Sequence, residues 1–163
     1  MRTIFFICYL TLTTIFACDK KVVFDQYASL DSPWHKDRPI TYHFNVTDTL
    51  QTVDLFLKLR TNKNYEFSNL FLIVSLRHPK GKLVRDTLEY RMANPDGSML
   101  GQGSILIKEH RLWYKGYDVP FSFTEMGEYR LEVTHANRLL GDTEGKILLE
   151  GVEDVGFSIE AVQ

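Results

Sequence analysis

Two cysteines, five prolines and no surplus of charge of either sign are the first facts of this 163-residue chain. Cys8 and Cys18 cannot supply the disulfide framework that staples small secreted domains. Ten glycines and five prolines without a period exclude collagen-like and low-complexity architectures. Nineteen Lys plus Arg stand against 21 Asp plus Glu, a net charge of −2, so the positive footprint of a nucleic-acid binder is missing. Catalytic spacings are absent too. There is no G-x-S-x-G elbow, no H-E-x-x-H or H-x-H pair, and no Gly-Lys-Ser/Thr after Gly97, Gly101 and Gly103. Triad hydrolysis, a local zinc module and a phosphate loop therefore have no support. The sequence assigns no catalytic residue, metal ligand or cofactor, and it makes no nucleic acid a partner.

What is present begins with an address. Arg2 precedes a mostly apolar stretch, Thr3 to Ala17, which Asp19, Lys20 and Lys21 end abruptly. A membrane-spanning helix needs about 20 apolar residues, so the span reading fails on length and a secretory signal fits. Ile15-Phe16-Ala17-Cys18 resembles a bacterial lipoprotein signal, in which the leader is cut before the Cys and that thiol takes a thioether-linked diacylglyceryl group. Residues 1–17 are then the signal peptide, 18–38 a lipidated tether and 39–163 the domain. Cys18 would be the single Cys of the mature chain, and two or three acyl chains at about 0.8 kcal/mol per buried CH₂ would hold the protein on a membrane.

After Pro39 the hydrophobic period becomes two. Ile40, Tyr42, Phe44 and Val46 alternate with Thr41, His43 and Asn45, and Val53, Leu55, Leu57 and Leu59 alternate with Asp54, Phe56, Lys58 and Arg60, so both segments read as half-buried strands. Residues 70–74 are continuously apolar, which predicts a central strand covered on both faces. Gly81 and Asn94-Pro95-Asp96-Gly97 mark reversals on either side of a strand over 83–92. Further strands are expected at 105–107, 112–114, 121–123, 129–133 and 155–159, with one helical turn within 135–145. About eight short antiparallel strands bounded by turn residues predict an all-β fold, a single antiparallel β-sandwich, although a closed barrel shares the pattern.

Aromatic residues are abundant, with 11 Phe, 8 Tyr and 2 Trp. Most occupy the apolar phase of strands and belong to the core. Trp34 beside His35, and Trp113-Tyr114 between Arg111 and Lys115, stand out as expected surface rings. They are candidate partner-binding residues, by anchoring a protein interface or stacking on a glycan. Packing of Trp113 between the sheets is an equally good account of that residue.

Several ordered stretches resemble one family: Trp34-His35-Lys36-Asp37, Tyr65 to Leu72, Asp86 to Tyr90, Ala93 to Gly97, Leu112-Trp113-Tyr114-Lys115 and Gly151 to Phe157. Together with Cys18 they are similar to the GldH gliding-motility lipoproteins of Bacteroidetes. The resemblance implies a lipid-anchored envelope protein, held in the outer membrane and needed for surface gliding. It also implies partners among the gliding and secretion proteins of the envelope, in machinery linked to type IX secretion. No catalytic residue comes with the family.

Overall fold

The computed structural model describes residues 22–162 apart from Ser32, Leu140 and Asp142, so the leader and Cys18 lie outside the described residues. The strands are β1 (Val22–Ser29), β2 (Trp34–His35), β3 (Ile40–Val46), β4 (Val53–Asn62), β5 (Asn69–Arg77), β6 (Leu83–Arg91), β7 (Gln102–Gly103), β8 (Ile107–Lys115), β9 (Gly127–His135), β10 (Leu148–Leu149) and β11 (Val152–Ala161). No helix occurs among the described residues, and the helical turn expected within 135–145 is not found at those of its positions that are described. One sheet has the order β1-β11-β4-β8-β7 and the other β3-β9-β5-β6, while β10 and β2 form a small ribbon. Every pairing is antiparallel. The expected β-sandwich is the observed fold.

Alternation sets which side chains meet between the sheets. On β3, Ile40, Tyr42, Phe44 and Val46 are buried while the intervening residues are not. They face Leu55, Leu57, Leu59, Val155, Phe157 and Ile159 of the opposite sheet in one apolar cluster. Phe44 packs among Phe24, Phe157, Phe123 and Tyr129 with ring centroids 5.5–5.6 Å apart. Each such side chain, fully buried, stabilises the fold by about 1.5–3 kcal/mol. Three hydroxyls tie the layers together: Tyr42 donates to the Val155 carbonyl (2.7 Å), Tyr90 to the Trp113 carbonyl (2.6 Å) and Tyr114 to Asp86 (2.8 Å).

Four local expectations are corrected. Within 18–38, the described residues do not form an irregular tether: Val22–Ser29 is an edge strand paired with β11. Its partner lies at the far end of the chain and its exposure follows no strict alternation, so no local signal announced it. The strand over 69–77 is central, as expected, but Phe71 and Ile73 are only half-buried, because no layer covers that outer face. Residues 121–123 contribute a single bridge, Val53 to Phe121, rather than a strand, and of the strand expected at 105–107 only Ile107 is in one, because Ile105 and Leu106 form the tip of the β7–β8 hairpin. The turns, by contrast, are as read, with Gly81 at φ 90° and Gly97 at φ 83°.

Register also fixes what gathers at each end. Val22 pairs with Glu160, Val53 with Ala161, Leu55 with Lys115 and Val46 with Gly127. The start of β1 and the loops 47–52, 78–82 and 116–126 therefore share one end, here called proximal because it lies next to Cys18 in the chain. Loops 63–68, 92–101 and 104–106 share the other, distal end. β4 separates the two by about 33 Å, from 3.3 Å per residue over its 10 residues.

Candidate interaction surface

The outward face of the five-stranded sheet carries the side chains that deserve a functional reading. On β4 the inward phase is Leu55, Leu57 and Leu59, and the outward phase is Asp54, Phe56, Lys58 and Arg60. Phe56 breaks the rule of that face, being apolar, directed outward and yet 0% exposed. Its cover comes from neighbours on the same face. The Arg111 guanidinium lies 3.3 Å from the Phe56 ring centroid, and the Trp113 ring stands 4.3 Å away. Arg111 is held over the ring by Glu160, whose two carboxylate oxygens each accept from it at 2.8 Å. A cation over an aromatic face is attracted by the ring quadrupole, and the two carboxylate oxygens converging on Arg111 Nη2 hold that end of the guanidinium by charge-assisted hydrogen bonds.

A second stack lies beside the first. Tyr27 of β1 rests on Gly156, where an added Cβ would come within 2.8 Å of the Tyr27 ring. Glycine is needed there for space. The Arg60 guanidinium sits 4.4 Å from the same ring, the Tyr27 hydroxyl donates to Glu109 at 2.9 Å, and Arg60 donates to Glu109 and Asp154. Burial first, and then the Glu109 carboxylate, push the Tyr27 phenol well above its ordinary pKa, so this hydroxyl remains a donor at physiological pH. Lys58 pairs with Asp25 at 2.7 Å. Lys58, Arg60 and Arg111 are thus each paired with carboxylates of the same face, leaving an ordered, half-aromatic platform.

Trp113 and Tyr114 part company here. A register shift between Leu55 and Phe56 opposite β8 makes Phe56 face Trp113 and Leu55 face Lys115. Trp113 turns outward and is half-buried, whereas Tyr114 turns inward, buried, and donates to Asp86 alongside Lys115. Burial pushes the Asp86 carboxyl up, but these two donors outweigh it and hold its pKa below the ordinary value. Trp113 contacts the exposed ring of Tyr117 at 5.3 Å, which extends the platform toward the proximal end. At the distal end of β8 the hairpin tip exposes Ile105 (94%) and Leu106 (69%), with Ser104 Oγ accepting the N–H groups of Leu106 and Ile107.

Trp34 is not a surface ring. It is buried at 2% exposure, its indole N–H donates to the Arg38 carbonyl, and its ring lies edge-on to His135 at 5.3 Å. It plugs the sandwich beneath the β2–β10 ribbon. His35 is half-buried, and its Nδ1 accepts the Asp37 N–H at 3.1 Å. The pair at 34–35 lies in a different sheet from Trp113, so the fold does not bring the four candidates together. Cys18 lies outside the described residues. Phe56, Arg111, Glu160, Tyr27 and Arg60 were missed as a group, and only Phe56 carried a sequence signal, as an apolar residue in the polar phase of β4. Among the described residues no three His, Cys, Asp or Glu side chains converge to hold a metal ion.

The chain matches the GldH lipoprotein family over residues 22–159, almost the whole sandwich. Gliding motility lipoprotein GldH of Flavobacterium johnsoniae is 47% identical over 154 residues, 94% of either chain. A gliding motility lipoprotein GldH homolog of Christiangramia forsetii is 43% identical over 162 residues, 98% of either chain. Among solved structures, a family GH115 4-O-methyl-α-glucuronidase superposes with a TM-score of 0.46 at 14% identity, over 93% of this chain and 19% of that one, and carries no argument about function. The relatives match over nearly their full length, and the family match runs through both sheets as far as Ile159: the chain belongs to the GldH lipoprotein family.

Proposed function

We propose that this protein is a non-enzymatic envelope lipoprotein, anchored through Cys18 in the outer membrane, which serves the gliding machinery linked to type IX secretion by protein contacts. The observation that carries the reading is the nearly full-length match to gliding motility lipoproteins. The structure adds a surface suited to it. Ile107, Glu109, Arg111 and Trp113 line the outward phase of β8, running from the apolar tip to the aromatic platform. Preordered aromatic and arginine side chains lose little conformational entropy on binding, which is why they anchor interfaces.

The test is made in a gliding host. Cys18→Ala at native abundance should abolish surface spreading, and a photo-crosslinking residue at Glu109 should capture other envelope proteins of the gliding or secretion apparatus. Normal spreading by an unlipidated protein overturns the anchor, and a Glu109 probe that captures no protein overturns the contact surface. A second reading has one observation in its favour, the Trp113–Tyr117 pair with Tyr117 72% exposed, a platform on which a sugar ring can stack. In that case purified protein binds envelope or host polysaccharide, and Tyr117→Ala removes the binding; an empty glycan array dismisses it.

A further inference from the structure

We infer that the proximal end of the sandwich is itself a membrane-docking surface, which inserts apolar loop tips into the same bilayer that receives the Cys18 lipid. The inference rests on the anchoring of Cys18 and adds to it a second, protein-made contact. The first ground is distance. Val22 opens β1 at this end, and the four steps of chain from Cys18 span at most about 14 Å fully extended. A lipidated Cys18 therefore keeps this end, and not the distal one, within reach of the headgroups.

The second ground is what the end displays. Leu50 is 91% exposed at the tip of loop 47–52, and Val119 and Tyr117 are 73% and 72% exposed in loop 116–126. Val22 and Val23 are exposed beside them. Loop geometry holds these side chains outward. The Leu50 N–H donates to Asp48 Oδ1 at 2.8 Å, a local turn that presents Leu50, and Val53 donates to the Phe121 carbonyl at 2.9 Å, which joins the two loops at their base. Gly116 has φ 103°, and an added Cβ would come within 2.5 Å of Asp54, so the loop carrying Tyr117 and Val119 lies tightly against β4. Tyrosine is a side chain suited to the headgroup level, with an apolar body and a polar tip. Between the sheets, a slot of about 140 Å³ opens at this end, with an apolar floor of Val23, Phe44, Val46 and Phe123 and a polar rim that includes Thr47, Asp48 and Gln51.

The third ground is charge. Lys80 and Lys82 at this end stand against exposed Asp48 and Asp118 and half-buried Glu125, so its loops carry no positive surplus. The contact is therefore a wedge of apolar groups rather than an attraction to anionic lipid.

Mature lipidated protein permits a direct test, because Cys8 leaves with the leader and a lipid-capped Cys18 has no free thiol. Leu50→Cys, Val119→Cys and the distal Leu106→Cys variants, each labelled with an environment-sensitive nitrobenzoxadiazole probe, are reconstituted in phosphatidylethanolamine and phosphatidylglycerol vesicles containing doxyl-labelled lipid. Probes at 50 and 119 should be quenched at least about threefold more than the probe at 106, as expected of groups buried in the acyl boundary. The contrast should persist from about 0.05 to 0.5 M salt, since screening acts on charge and not on apolar insertion. Equal quenching at all three sites, with mass spectrometry showing acylated Cys18, overturns the docking surface and leaves the anchor standing. A Cys18 found without lipid overturns both.

Discussion

The outward platform and the proximal loops both bring apolar side chains to the surface of one molecule, but they treat them in opposite ways. On the platform, Phe56 and Trp113 are roofed by Arg111, and Arg111 is pinned by Glu160. At the proximal end, Leu50 and Val119 stand in water with no polar cover. Covered rings add to the stability of the monomer, whereas uncovered tips add nothing until something else covers them. The sheet supplies a rigid frame with long-range neighbours for the first arrangement, and loops supply reach for the second. Substitutions in the two regions should therefore separate folding from binding.

The largest effect belongs to the platform. Phe56→Ala should lower unfolding free energy by about 3–5 kcal/mol, read from urea denaturation, because it removes a fully buried ring together with the surface on which Arg111 lies. A loss under about 1 kcal/mol would mean that the stack collapses without consequence. Acid comes next. Burial, before any neighbouring charge, holds the His110 and His135 imidazoles below their ordinary pKa. Unfolded histidine binds its proton near pH 6.5, so stability is complete above that pH and falls as pH drops from there toward the folded values, by up to about 1.4 kcal/mol per residue per pH unit. Urea midpoints at several pH values should show this slope, and His110→Gln should flatten it. Gly156→Ala should cost about 1–3 kcal/mol by driving a methyl against Tyr27, with a Tyr27→Ala background restoring most of the loss. Leu50→Asn and Val119→Asn should have the smallest effect, within about 0.5 kcal/mol of the parent by the same assay, since neither side chain packs on the core.

The same contrast explains what could be read in advance. β3 and β9 followed from a period of two because both present one face to the core and one to solvent. β1 did not, since its place is decided by β11 at the opposite end of the chain and its outer edge is unpaired. Trp34 looked like a surface residue within an irregular segment, and its burial depends on His135, whose Nε2 hydrogen-bonds the Trp34 carbonyl across 101 positions. On the platform, Phe56 was visible as a residue out of phase. The Arg111–Glu160 clamp was not, because two charged residues 49 apart acquire meaning only when β4 brings their strands to either side of it. Loop tips such as Leu50 carry no periodic signal at all.

The antiparallel seam between β1 and β11 has a mechanical consequence for a tethered protein. Residues 22–29 run from the proximal end toward the distal end along the axis of the sheet, and their ladder to β11 reaches from Val22 to Ser29. Tension that enters at the amino terminus and leaves through the far end of the molecule pulls these rungs sideways, all at once, rather than peeling them open singly. A leash built this way yields at the strength of the whole seam, so the body it holds can take a tug along its length without shedding its first strand.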